Sequence, residues 1–144
     1  MNEPDDRPTM VPFLSALAIV VFVLIGIAVS NLVRNDDLPP DQQVGVAAVG
    51  QNDALQRQNY ADFIRYTCTE QLGTEAEMLA RQRDSVHQRG ERYVDDVTDV
   101  KIDGDRATAT VTYHFDKAPD KKTEVEMRFV REDGAWKVCS TGPR

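Results

Sequence analysis

A chain of 144 residues with 24 acidic and 17 basic side chains carries a formal net charge of −7. Its lysines and arginines are scattered, so there is no electropositive stripe of the kind a nucleic-acid reader presents. Only Arg34 directly follows the longest apolar run, which excludes a polybasic attachment to acidic lipid headgroups.

That run, from Val11 to Val33, contains no charged side chain. As a helix it reaches roughly 35 Å, enough for a hydrocarbon core of about 30 Å with some tilt. A helix also satisfies its own backbone hydrogen bonds inside lipid. The reading is a single transmembrane span over 11–33, after a short polar tail (1–10) that carries Glu3, Asp5, Asp6 and Arg7. The competing reading is a cleaved signal with small residues at Ala28-Val29-Ser30. The run is longer than the 7–15 residues usual for a signal core, which favours an uncleaved anchor. No cysteine ends the span, so lipidation there is excluded.

Residues 34–40 form a short polar linker stiffened by Pro39-Pro40, and 41–144 form one domain, large enough for one modest core. Asp41 is expected to cap a first helix that runs to about Arg57, with Val44, Ala47, Ala48, Ala54 and Leu55 at helical spacing. Gln58-Asn59 interrupts it. Phe63, Ile64, Tyr66 and Thr67 mark a second helix with Cys68 near its end. Thr74 and Glu77 fit a capping box ahead of a third helix. Its buried stripe is Met78, Leu79, Gln82 and Val86, and Gly90 is its natural terminator.

After Gly90 the apolar period changes from 3.6 to 2. Val94 to Ile102 reads as a first strand that ends at the hairpin signal Asp103-Gly104. Ala107 to Phe115 alternates with Thr108, Thr110, Thr112 and His114. A loop over Asp116 to Lys122 leads to a third strand bearing Val125, Met127 and Phe129. Asp133-Gly134 then turns into Ala135 to Ser140. Helices first and strands after predict an α+β domain: three helices packed on a four-stranded antiparallel meander.

An even pair of cysteines, Cys68 and Cys139, in a small domain behind a membrane anchor reads as one disulfide and hence an oxidising compartment. It places the amino terminus in the cytoplasm and the domain outside. Two separate buried thiols are the alternative. One detail stays open: Trp136 and Val138 share a strand face, and Cys139 has the opposite parity. A bulge, sheet curvature or a frayed strand end would reconcile the pairing with that parity.

Tyr60-Ala61-Asp62-Phe63 leading into Cys68, together with Asp133-Gly134-Ala135-Trp136-Lys137-Val138-Cys139, resembles the nuclear transport factor 2-like (cystatin-like, SnoaL-like) superfamily. The nearer likeness is to small membrane-anchored actinobacterial members, including lumazine-binding-like and Mce-associated proteins. It covers about residues 41 to 142. The resemblance implies a cone with a pocket between helices and sheet, and frequent dimerisation through the outer sheet face. It also implies that an early-helix cysteine is matched to one of the last strand. It does not imply an activity, because this fold hosts isomerases, dehydratases, binding modules and inert adaptors.

Acid–base chemistry in such a cone needs a buried carboxylate, a histidine or a tyrosine–aspartate pair within hydrogen-bond reach. Asp62 and Tyr60 lie near the second helix; Asp62, His87 and His114 read as surface groups, and Tyr66 and Tyr113, which could line a pocket, as core tyrosines. No catalytic set is assigned. No metal-ligand spacing occurs, and Asp95, Asp96, Asp99, Asp103 and Asp105 lack the alternation of a calcium loop. There is no Gly-rich phosphate loop and no GxSxG, and no cofactor is expected. The pocket, if open, is expected to be lined by Phe63, Tyr66, Leu79, Tyr113, Phe129 and Trp136.

The functional expectation is a non-catalytic domain displayed outside the cytoplasmic membrane as an accessory or scaffolding subunit of an envelope complex. The anchor and its short linker raise the domain's effective concentration near membrane partners. The Thr-rich outer sheet face serves equally well as a homodimer interface or a solvated surface. The alternatives are a small-molecule carrier or sensor, favoured by a closed apolar cavity, and an isomerase- or dehydratase-like enzyme.

Overall fold

In the computed structural model, residues 19–21 and 37–143 are described, and the chain divides into two compact units between Asp37 and Leu38. Ile19 to Val21 is helical, and all three side chains are exposed. The rest of the expected span at 11–33, the tail at 1–10 and the linker through residue 36 lie outside the described residues. No helix among the described residues is long and apolar enough to cross a membrane.

The second unit is α+β. Helix α1 spans Pro40–Gln56, α2 Tyr60–Tyr66 and α3 Glu75–Arg89, with a 3-10 turn at Thr69–Gln71. Strands β1 (Arg92–Asp103), β2 (Arg106–Phe115), β3 (Ala118–Glu132) and β4 (Ala135–Val138) form one sheet in the order β1-β2-β3-β4. Every neighbouring pair is antiparallel, so the expected meander is present.

Several boundaries differ from the sequence expectation for identifiable reasons. Helix α1 begins at Pro40 with Pro39 as its N-cap, and Asp41 sits in the first turn instead of capping. Proline suits that first position because its missing N–H would have no intrahelical partner. Helix α2 is capped by Asn59, whose side chain accepts from the Asp62 amide, and it ends before Cys68, which is extended. The expected loop from Asp116 to Lys122 is only a two-residue turn, with β3 starting at Ala118 opposite Phe115. Charge and a proline there mark a long hairpin arm rather than a loop. The Thr74–Glu77 capping box forms on both sides. At the last hairpin Asp133 and Gly134 both take positive φ, 52° and 79°, the combination that matches strand twist.

The core lies in two parts. One inserts Val44, Ala47 and Ala48 of α1 against Ala107, Ala109, Val111, Tyr113, Met127, Phe129, Trp136 and Val138 of the sheet. The other joins Ala54, Phe63 and Met78 between the three helices. Helix α1 makes most of the contact with the sheet, α2 touches β4, and α3 rests on α1 and reaches the sheet through Arg89 over Phe115.

Cys68 and Cys139 form a disulfide, with Cα atoms 5.2 Å apart. The parity problem resolves at the strand end. Strand β4 stops at Val138, one residue before Cys139, so strand alternation no longer directs that side chain. Thr67 forms a parallel bridge with Val138, and the Cys68 amide donates to the Val138 carbonyl. The bridge thus joins two segments lying side by side along the β4 edge, and does not reach across from helix to sheet.

Candidate functional site

The expected pocket residues do not converge on one cavity. Phe63 and Leu79 belong to the inter-helix cluster. Tyr113, Phe129 and Trp136 are buried in the sheet core, where the Tyr113 hydroxyl donates to Met127 Sδ at 2.8 Å. Burial raises the Tyr113 pKa above its ordinary value. Tyr66 lies flat over Gly50 of α1, where an added Cβ would meet its ring at 2.6 Å. The space between α1 and the sheet is filled by these side chains.

The acid–base candidates are engaged elsewhere. The Tyr60 hydroxyl donates to the Gly73 carbonyl at 2.8 Å. Asp62 accepts from Asn59 Nδ2 and from Arg57, which fastens the start of α2. His87 is exposed on α3. His114, read as solvated, is instead half-buried on the outer sheet face: Nδ1 lies 2.8 Å from Asp95 and the ring stacks on Tyr93. Lys122 and then His114 hold the Asp95 carboxyl below the usual carboxylate range. None of these groups lies among the residues that line the two grooves below.

Two open grooves lie among the described residues. One, of about 350 Å³, lies by the β1–β2 hairpin, with Glu70, Lys101, Ile102, Arg106, Phe129 and Cys139 among its walls. Its charges are mixed. The other, of about 320 Å³, lies where the helices meet the carboxy-terminal segment. Its lining includes the apolar Leu55, Phe63 and Met78 together with Arg81, Arg89 and Arg92, and no acidic residue is among the described residues that line it.

Local structure fixes two of these arginines. Arg92 opens β1 at the same parity as Val94, so its side chain projects toward the helices. Its Nε donates to Asn52 Oδ1 at 2.7 Å, and its guanidinium lies 4.9 Å from the Tyr113 ring centre. Burial lowers its pKa below the ordinary guanidinium value, and the neighbouring Arg89 acts in the same direction. Arg89, at the end of α3, lies 4.1 Å over the Phe115 ring and donates to Ser85 Oγ at 3.2 Å. Sequence reasoning missed this cluster. The signal was present, since Arg92 sits at an apolar-face position of its strand and Gln82 lies within the apolar stripe of α3.

Helices followed by a disulfide-tied antiparallel meander define an α+β domain of the kind that the sequence resemblance implied. Residues 69–141 match the family described as low molecular weight antigen MTB12, C-terminal domain, and the chain belongs to that family. No curated protein matches the sequence. Among solved structures, one similar chain is from Campylobacter jejuni and is described as an NTF2-like transpeptidase. It is 15% identical, with 65% of this chain and 94% of that one covered and a TM-score of 0.46. Another, from Streptomyces avermitilis, is described as a dehydratase of the NTF2-like family. It is 18% identical over 67% of this chain and 88% of that one, with a TM-score of 0.42.

Proposed function

We propose that this chain is a non-catalytic accessory subunit of a cell-envelope assembly. Its stapled domain is held outside the cytoplasmic membrane by the apolar segment at 11–33. The observation that carries the reading is the filled interior: Tyr113, Met127, Phe129 and Trp136 occupy the space in which an acid–base pair would act. A domain of this kind contributes a rigid surface and a fixed position. The Cys68–Cys139 bridge suits an oxidising compartment, where such bonds persist. The anchor keeps the domain among other membrane proteins at a high effective concentration.

The test of placement is protease treatment of intact spheroplasts that express the full chain with a carboxy-terminal epitope. Loss of the epitope while a cytoplasmic marker survives is the expected result. An epitope that disappears only after lysis overturns the external location.

A further inference from the structure

We infer that the groove between α1, α3 and the carboxy-terminal segment binds an amphiphilic anion, with a carboxylate or phosphate head against Arg89 and Arg92 and an apolar body against Leu55, Phe63 and Met78. The site is independent of the accessory reading above.

Three observations support it. First, Arg81, Arg89 and Arg92 all line the groove, and none of them forms a close ion pair with a carboxylate of the described residues. In a chain of net charge −7 such a cluster is not the default outcome of composition. Along α3, Asp84 accepts from Gln88 Nε2, and Glu77 accepts from the Thr74 amide and hydroxyl of the capping box while Arg81 acts on it through space.

Second, Arg92 is half-buried, and only its Nε has a hydrogen-bond acceptor among the described residues. The two Nη groups have no acceptor among the described residues. A half-buried guanidinium without a counter-charge gains from an anionic acceptor that enters the groove. Its fork geometry suits two parallel bonds to a carboxylate or phosphate. Tyr113 and Asn52 hold it from the other side, so the fork is oriented before anything binds.

Third, Leu55, Phe63 and Met78 give the groove an apolar part, and its volume is about 320 Å³. That is near the lower end of small-molecule sites, which run from roughly 300 to 1,000 Å³ and combine an apolar lining with a few placed polar groups. Ser85, Thr67 and Ser140 are also among the lining residues. Gly142 belongs to the same rim, and a Cβ there would meet Arg92 Nη1 at 2.7 Å, so a side chain would press on the guanidinium.

The experiment uses the full chain in neutral micelles with methyl-labelled methionine. Benzoate, phenyl phosphate and dihexanoyl phosphatidic acid are titrated separately, with benzylamine as the charge-reversed control. The Met78 methyl lines the groove, whereas Met127 is buried in the sheet core and serves as the internal reference. Saturable shifts at Met78 with an anionic probe, absent with benzylamine, are expected. Affinity should fall about tenfold or more in both Arg89→Gln and Arg92→Gln, one charge-assisted bond being worth at least that factor. Arg89→Gln removes a side chain that does not clasp Asn52, so it reports even if Arg92→Gln is poorly folded. A response confined to dihexanoyl phosphatidic acid assigns the anion to a lipid headgroup, and a response to benzoate or phenyl phosphate assigns it to a soluble molecule. No anionic response at Met78, an equal response to benzylamine, or anion binding unchanged in Arg89→Gln overturns the proposal.

Discussion

Asn52 and Arg92 clasp each other through both side chain and backbone. Arg92 Nε donates to Asn52 Oδ1 at 2.7 Å, and Asn52 Nδ2 donates to the Arg92 carbonyl at 3.0 Å. The pair fixes the carboxy-terminal part of α1 to the first residue of β1. Replacing Asn52 with alanine strands a guanidinium N–H and a carbonyl in a site shielded from water. Such a loss costs on the order of 2 to 3 kcal/mol, since one of the bonds is charge-assisted. Urea unfolding of Asn52→Ala against the parent chain measures it, and a change under about 0.5 kcal/mol would contradict the clasp.

Cys68→Ser opens a covalent loop with a sequence separation of 71. On the chain-entropy account that costs about 4 kcal/mol, with a practical range of roughly 2 to 5. The melting temperature should fall, and Cys139 should become reactive to a thiol probe under denaturing, non-reducing conditions. The parent chain should stay unlabelled until it is reduced.

Gly50 is a packing requirement of α1, because the Tyr66 ring occupies the space a Cβ would need. Alanine is the better helix former by about 1 kcal/mol, yet overpacking costs typically 1–3 kcal/mol. Gly50→Ala is therefore expected to be neutral to destabilising in the parent background. In a Tyr66→Ala background, where the clash is gone, it should become stabilising. A double-mutant cycle in denaturant measures the coupling, and additivity within error would contradict the contact.

Asp95 links stability to pH. Its folded pKa is depressed, first by Lys122 and then by His114, relative to the ordinary carboxylate value near 4. Its stabilising contribution is thus fully present above the unfolded carboxylate pKa and is lost as pH falls through the lower folded value. The stability gap between the parent and Asp95→Asn should be open at neutral pH and narrow progressively as pH falls below the unfolded carboxylate value near 4. Urea midpoints across that range check it, and a gap that widens on acidification would contradict the assignment.

The fold was legible where one periodicity dominated. Alternation from Ala107 to Phe115 and the paired turn signal at Asp133-Gly134 gave strands and hairpins close to those observed. Thr74 and Glu77 located the start of α3 because the box is a local motif. Long-range geometry was much less legible. The disulfide pairing was expected, but its route along the β4 edge depends on where that strand stops and on the bridge from Thr67. The expected pocket residues were correctly apolar, but periodicity cannot say which apolar face meets which. Phe63 and Leu79 therefore fell in one cluster and Tyr113, Phe129 and Trp136 in another. The arginine cluster was missed for the same reason. Arg81 and Arg89 lie on α3 and Arg92 on β1, and only the packing of α3 and β1 against α1 brings them to one groove.

The central claim, an accessory subunit at the membrane, is tested most directly by photocrosslinking in intact membranes. A crosslinker is placed in turn on the exposed outer-face positions Glu124 and Glu126, and on Val49 of α1, and the products are identified by mass spectrometry. The account predicts one recurrent membrane-protein partner, captured in stoichiometric yield from at least one of these faces. Crosslinks only to a second copy of this chain, or none from any face, would contradict it.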